Sequence, residues 1–302
     1  MSRTASNPSL PILRPADPGE PDLAPLLDEP LASAWAGSPQ GHAMDGDRSA
    51  AMRHRLARRV LATHEAEAGM VTVRRRRAPR ETLAEGVTLQ TLYGAQGSSA
   101  LRPGEPLRAA LIDLAPGARL DPSVLPSLAA AAGDLDVRLH REWLLLSGSA
   151  TVDGQALSQR DYRVEPATAL GAGWRSEEGA VLFLRESVQP ECADNHAFTV
   201  LDAEAGWPGF APGIQRRVLW QHAGQAALLY WAQPGALVPL HRHGHDEECL
   251  MLQGELFLDD LLLQAGDYQL APAGTGHRST QTDTGVVIYA HGDLDLQFIT
   301  PA

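Results

Sequence analysis

Residues 235–277 read GALVPLHRHGHDEECLMLQGELFLDDLLLQAGDYQLAPAGTGH, and this stretch decides the fold. Gly235 is followed by five residues, then His241-Arg242-His243, three residues, Glu247, six residues and Gly254. Gly266 opens a second cluster: five residues, Pro272-Ala273-Gly274, two residues and His277. Successive side chains on a strand point to opposite faces, so His241 and His243 share a face, and Glu247 has the same parity. Cys249-Leu250-Met251-Leu252 continues as a buried strand that ends in a turn at Gly254. Gly266, Pro272, Gly274 and Gly276 punctuate a tight approach to the next strand, which delivers His277. Three imidazoles and one carboxylate set among short apolar runs predict one divalent metal site inside a small β-barrel. Such donors suit zinc, iron, nickel, manganese or copper and leave positions for water, substrate or oxygen.

Neighbouring residues take their expected places from the same parity argument. Glu248 points away from Glu247 and suits a solvated or pairing role, although a bulge in the strand could swap the two glutamates. His245 shares the parity of His241 and His243 and is an alternative ligand. Arg278 points away from the metal. Cys249 reads as a small core residue. Tyr230, Met251, Phe257, Tyr268 and Tyr289 lie in apolar strands, most as core and some lining the cavity.

The chain has 302 residues, enough for about two domains. Its 28 glycines and 22 prolines with few aromatics fit turn-rich β structure. A net charge of −12 argues against direct nucleic-acid binding by the whole chain. Two cysteines, Cys192 and Cys249, far apart and in no paired motif, suggest a reducing compartment. No apolar run approaches a membrane span, and the polar, Pro-rich start carries no signal peptide, so a cytoplasmic location is expected.

An internal repeat precedes the histidine cluster. Leu83-Ala84-Glu85-Gly86-Val87 echoes Phe210-Ala211-Pro212-Gly213-Ile214. Ala115-Pro116-Gly117-Ala118 echoes Gln233-Pro234-Gly235-Ala236, at an offset of 118. Glu142-Trp143-Leu144-Leu145 echoes Glu248-Cys249-Leu250-Met251, and Asp161-Tyr162 echoes Asp267-Tyr268, both at 106. The first copy has lost the ligands. Arg141 stands at the position of Glu247, Trp174 at that of His277 and His140 at that of Asp246. A permanent charge at Arg141 would repel a metal ion. The first barrel is therefore expected to be metal-free, serving to pack against its partner or to hold an anion at Arg141.

Residues 1–69 are expected to be irregular, with a basic helix at about 47–67 carrying Arg53, Arg55, Arg58 and Arg59. Arg74–Arg77 reads as the end or edge of a strand, either a local basic patch or a solvated edge that resists strand pairing.

The motifs of residues 235–277 match both consensus patterns of the cupin superfamily, with Gln281 in place of the final Asn of the second. Within it, the chain resembles the ChrR-type cupin family through His241-Arg242-His243, Glu247-Glu248 and the lead-in from Met70-Val71-Thr72-Val73 to Leu83-Ala84-Glu85-Gly86-Val87. The resemblance implies an all-β fold: two tandem cupin barrels (double-stranded β-helix, jelly-roll) behind a short N-terminal helical segment. The domains would be 70–190, degenerate, and 191–302, metal-binding. Carried over residue by residue, the ligands would be His241, His243, Glu247 and His277, holding one divalent ion, zinc or iron foremost, with nickel or manganese as further options. The family includes zinc-holding cupins fused behind anti-sigma domains and iron dioxygenases that cleave bonds beside carbonyl groups. The expected roles are accordingly a regulatory or sensing protein with a sigma-factor-like partner, or a mononuclear Fe(II) dioxygenase acting on a small carbonyl compound. A homodimer would be in keeping with either. The His-x3-Cys-x2-Cys motif of the anti-sigma domain is absent, since no cysteine precedes Cys192.

Overall fold

The structure is a computed structural model, and it describes residues 54, 69–95, 102–128, 139–166, 173–190 and 196–299. The expected helix at 47–67, the irregular segment before it and Cys192 lie outside these residues, His54 apart. Most of the described residues lie in strands. Two β-barrels follow one another, as the motifs predicted. No described helix is long and apolar enough to cross a membrane.

Each barrel is built from the same pieces. The first joins Val87–Gly94, Pro106–Leu114, Ala180–Val188, Leu139–Gly148 and Tyr162–Pro166 edge to edge in one antiparallel sheet. The second joins Ile214–His222, Gln225–Ala232, Val286–Asp293, Glu247–Leu258 and Tyr268–Ala271 in the same order. The core strands are buried on both faces. In Pro106–Leu114 and Ala180–Val188 almost every residue is buried. Such strands cover two cores at once, one inside the barrel and one outside it.

The outer core lies between the barrels. Leu92, Leu111, Leu144, Tyr162 and Phe183 of the first barrel form one buried cluster with Leu219, Trp220, Leu229, Leu250, Tyr268 and Tyr289 of the second. The barrels also exchange strands. Val71–Val73 leads into the first barrel yet pairs with Tyr268–Leu270 of the second. Phe198–Val200 leads into the second barrel yet pairs with Tyr162–Val164 of the first. The four-arginine run is thus not a free strand edge. Arg74 ends the lent strand and donates to Asp267 (2.7 Å) and to the Leu262 carbonyl, and Arg75–Arg77 forms a 3-10 turn.

The interior of the first barrel holds two indoles. Trp143 and Trp174 are both buried, with ring centroids 5.1 Å apart, and Trp143 donates to Glu165 (2.7 Å). Strand pairing corrects the alignment of Trp174. It pairs with Leu120 as Thr280 pairs with Val238, so Trp174 is the counterpart of Thr280, not of His277. Its neighbour in space, Trp143, is the counterpart of Cys249: one faces Leu184, the other Ala290, at the same offset of 106. Two indoles thus occupy space that a thiol and a hydroxyl leave open in the second barrel. Arg141 is engaged within the barrel. It is buried and donates twice to Glu186 (2.9 and 2.7 Å), which Arg108 also grips (2.7 Å).

Candidate metal centre

Strand Leu237–Arg242 carries His241, and its continuation carries His243. Strand Glu247–Leu258 opens with Glu247, and strand Gly276–Gln281 presents His277 opposite His241. This cross-strand pair depends on Gly276. A β-carbon there would come within 2.3 Å of the His241 carbonyl oxygen, so only glycine lets the two strands close. Backbone bonds between His243 N–H and Thr275 O (2.9 Å) and between Gly274 N–H and His243 O (2.7 Å) tie the two motif loops together.

The three imidazoles converge. Ring centroids are 5.3 Å apart for His241 and His243, 5.1 Å for His243 and His277, and 5.7 Å for His241 and His277. One ligand atom from each of His241, His243 and Glu247 lies within 4.8 Å of the others, the single such group among the described residues. Glu247 Oε1 is 3.4 Å from His243 Nε2.

The far side of the His241 and His243 rings is already engaged. His241 Nδ1 lies 2.9 Å from the Pro239 carbonyl, which can only accept, so Nδ1 carries the proton. His243 Nδ1 lies 3.2 Å from Thr275 Oγ1, whose own proton goes to the Pro272 carbonyl (2.6 Å). His277 differs: its Nδ1 faces Asp259 at 3.6 Å, beyond hydrogen-bond reach, and is buried without a partner. Asp259 sits at the hairpin tip and accepts from the backbone N–H groups of Arg278 (2.7 Å) and Ser279 (3.2 Å). His241 and His243 therefore have Nε2 left for a common centre, and outer partners of this kind fix tautomer and orientation in metal sites. His243 Nε2 is buried without a hydrogen-bond partner, as a donor atom awaiting a cation would be. Burial, helped by His277, lowers the His243 imidazole to about 4, and burial also lowers His241. Both are thus neutral, the form that binds metals. Burial pushes the Glu247 carboxyl up, opposed by His241 and His277.

Glu247 and His241 open onto a cavity walled by Leu228, Val238, Leu256, Val286 and Ile288, with Tyr230, Cys249, Thr280, Thr282 and Asp293 also at its surface. Burial, then Glu247, raises the Tyr230 phenol to about 12. Burial likewise pushes the Cys249 thiol up, so it lines the wall as an inert apolar group. Of the other strand residues expected near the cavity, Met251 is packed in the core, and neither it nor Phe257 lines the wall. Tyr268 and Tyr289 belong to the inter-barrel core. Their hydroxyls donate to Glu248 (2.6 Å) and Glu142 (2.9 Å). Glu248 points away from the metal residues, as strand parity predicted, and takes a pairing role, with Arg185 of the first barrel. His245 is half-exposed and bound to Asp293 (2.5 Å), not to the cluster. Arg278 is turned toward Asp259 and Asp260.

Sequence reasoning gave no role to two residues that hold this site. Asp293 accepts from Gly244 N–H (2.5 Å) and engages His245, so it pins the turn between the ligands. Asp246 bridges that turn to the Ala273 N–H (2.8 Å) and to Arg102 (3.1 Å). Only three-dimensional closure of the barrel brings these partners together.

Residues 195–295 match the family model described as the ChrR cupin-like domain. No curated protein matches the chain. Among solved structures, a candidate dioxygenase from Nostoc punctiforme superposes with a TM-score of 0.51 at 16% identity, covering 78% of this chain and 92% of its own. Lactobacillus farciminis oxalate decarboxylase gives 0.52 at 13% identity, over 76% and 88%. A candidate glyoxylate-induced protein from Pseudomonas aeruginosa gives 0.51 at 13%, over 76% and 87%. At these identities the likeness is one of fold. Together with the two motifs and the duplicated barrel, it gives this chain a two-barrel, cupin-like fold in which residues 195–295 are similar to the ChrR cupin-like domain.

Proposed function

We propose that the second barrel holds one divalent metal ion on His241, His243, Glu247 and His277, and that the protein is a mononuclear non-haem metal enzyme acting on a small molecule in the adjoining cavity. The observation that carries this reading is the opening of the His241–Glu247 side of the cluster onto the cavity. A structural zinc site is closed by its protein ligands, whereas a catalytic one keeps positions free. Three imidazoles and one carboxylate leave two of six positions for ligands, and iron in such a site would supply oxygen chemistry. The chain's own part is to orient the His241 and His243 rings through Pro239 and Thr275, to hold those two neutral by burial, to brace the strand of His277 through Asp259, and to exclude water with an apolar wall.

A regulatory reading rests on the match of residues 195–295 to the ChrR cupin-like domain. There the same ion, zinc, would set the shape of the barrel for a protein partner. Elemental analysis of the purified protein, followed by oxygen uptake with a panel of small carbonyl compounds, separates the two. Iron near one equivalent with substrate-dependent uptake supports the enzyme. Tight zinc and no uptake with any compound supports the regulator and overturns the enzyme.

A further inference from the structure

Most residues that line the cavity sit on the ladders of the second barrel: Leu228 and Tyr230 on Gln225–Ala232, Cys249 on Glu247–Leu258, Ile288 on Val286–Asp293. Leu296 does not. It reaches the same cavity from residues 294–299, a strap that leaves the end of Val286–Asp293 and crosses to the strand carrying His241.

The strap is held at its two ends. Leu294 N–H donates to the Gly224 carbonyl (2.8 Å), and Arg216 donates to the Leu294 carbonyl (2.5 Å) and faces Asp295 at 3.7 Å. At the other end Gln297–Phe298 pairs with His241 and Arg242, and Ile299 N–H donates to the Leu240 carbonyl (3.0 Å). Between them Leu296 is half-buried, while Asp295, Gln297 and Phe298 are exposed. A short pairing with exposed side chains lies at the low end of local stability. Glu247–Leu258 and Val286–Asp293, paired on both sides, lie at the high end.

Among the described residues the first barrel has no such strap. There Arg119–Leu120, whose Leu120 corresponds to Val238, forms the edge of its sheet. The chain beyond Ala180–Val188 runs on to pair Phe198–Val200 with Tyr162–Val164. The strap thus belongs to the barrel that has a chamber to close. Arg216 is well placed to fasten it. Its guanidinium rests over the Phe210 ring at 4.3 Å, and it stands across the ladder from Tyr230 of the cavity wall.

We propose that residues 294–299 are the gate of the cavity: the strap swings out from Asp293, carries Leu296 off the wall, and is latched shut by Arg216. Asp293 stays behind as the fixed end, because Gly244 N–H (2.5 Å) and His245 hold it. The gate names the way in and rests on the proposed function only for what enters.

The chain carries its own reporter. Cys249 is buried in the cavity wall, so a small neutral reagent meets it when the cavity opens. The full chain, as purified, is treated with methyl methanethiosulfonate at one pH, and modification at Cys249 is read by peptide mass beside hydrogen exchange. In wild type the rate should stay nearly flat in low urea, because swinging the strap exposes little surface. The Leu294 and Ile299 amides should exchange ahead of those of Glu247–Leu258. Arg216→Met should speed modification about tenfold or more, the worth of a hydrogen bond from a charged donor, and leave exchange in Glu247–Leu258 unchanged. Should that variant fail to fold, Leu296→Ala, which removes the plug, should speed modification in the same way. A wild-type rate that climbs steeply from the lowest urea, as global unfolding requires, would overturn the gate. So would an unchanged rate in the folded variant. Metal content and oxygen uptake of the same preparations report separately. Gated Cys249 in protein that takes up neither metal nor oxygen keeps the gate and removes the enzyme, and ungated Cys249 in an iron-loaded, oxygen-consuming protein does the reverse.

Discussion

Arg185 of the first barrel reaches into the second and grips Glu248, the residue next to the proposed ligand Glu247. Its other arm holds Glu142 at 2.8 Å, and all three side chains are buried. Burial works against the guanidinium's charge, yet Glu248 and Glu142 overrule it and keep Arg185 protonated. Glu142 in turn receives the Tyr162 hydroxyl at 2.6 Å. Replacing Arg185 by Met should leave two buried carboxylates without their cation. Breaking a buried pair from one side costs about 3–5 kcal/mol, so equilibrium denaturation should show a loss of that order. A loss under about 1 kcal/mol would mean that the pair is not formed.

The two adjacent glutamates should behave differently toward metal. His243→Ala and Glu247→Ala should each abolish stoichiometric metal retention in purified protein, read by elemental analysis. Glu248→Gln faces the inter-barrel core and should keep metal content per folded molecule, while lowering thermal stability. Metal loss in Glu248→Gln with retention in Glu247→Ala would reverse the ligand assignment.

Asp259 faces His277 Nδ1 and holds the backbone of the strand that carries it. Burial opposes its ionisation, but His277 and the backbone donors of Ser279 and Arg278 lower its carboxyl all the same. Asp259→Asn keeps the shape and removes the charge. Loss of such an outer partner costs about 10–100-fold in metal affinity. Chelator competition should detect it, and an unchanged affinity would show that Asp259 acts on the hairpin alone.

Acid should loosen the metal-free protein through its buried imidazoles. Burial lowers His140 and His291 as well as His243, the last to about 4. A lowered imidazole binds its proton more readily in the unfolded chain, whose ordinary value is about 6.5. Stability is therefore complete above about pH 6.5 and falls as pH drops from there toward 4. Glu142, lowered to about 2 by His291, Arg185 and His140 against the cost of burial, extends the loss below its ordinary range. Glu247, raised by burial, acts with the opposite sign. Melting temperature should thus decline from pH 6.5 to 4.5, with His140→Gln flattening the slope. A flat profile in wild type would refute the account.

How much of this was legible in sequence depends on which face of a strand is asked about. The spacing placed His241, His243 and Glu247, whose ligand atoms converge, and the ring of His277 near the other two, because alternation and two glycine-bounded turns suffice for that. Tyr268 and Tyr289 were not separable from cavity-lining residues. Both faces of their strands are buried, so hydrophobicity alone does not say which face looks inward. The repeat sets Trp174 at the position of His277, and only its pairing with Leu120 matches it to Thr280. The partner of Val71–Val73 lies almost two hundred residues on, at Tyr268–Leu270, and nothing local in either segment names the other.

That exchange of strands bears on why a barrel without the histidine cluster persists. Excise residues before 198 and Tyr268–Ala271 loses Val71–Val73, baring a row of amide and carbonyl groups that would recruit another chain. Excise the second barrel and Tyr162–Val164 is bared in the same way. Mutual lending makes the halves inseparable for inheritance. A copy can shed its chemistry, turn its interior over to tryptophan and still be indispensable, because its neighbour's edge is closed by a strand that runs into it.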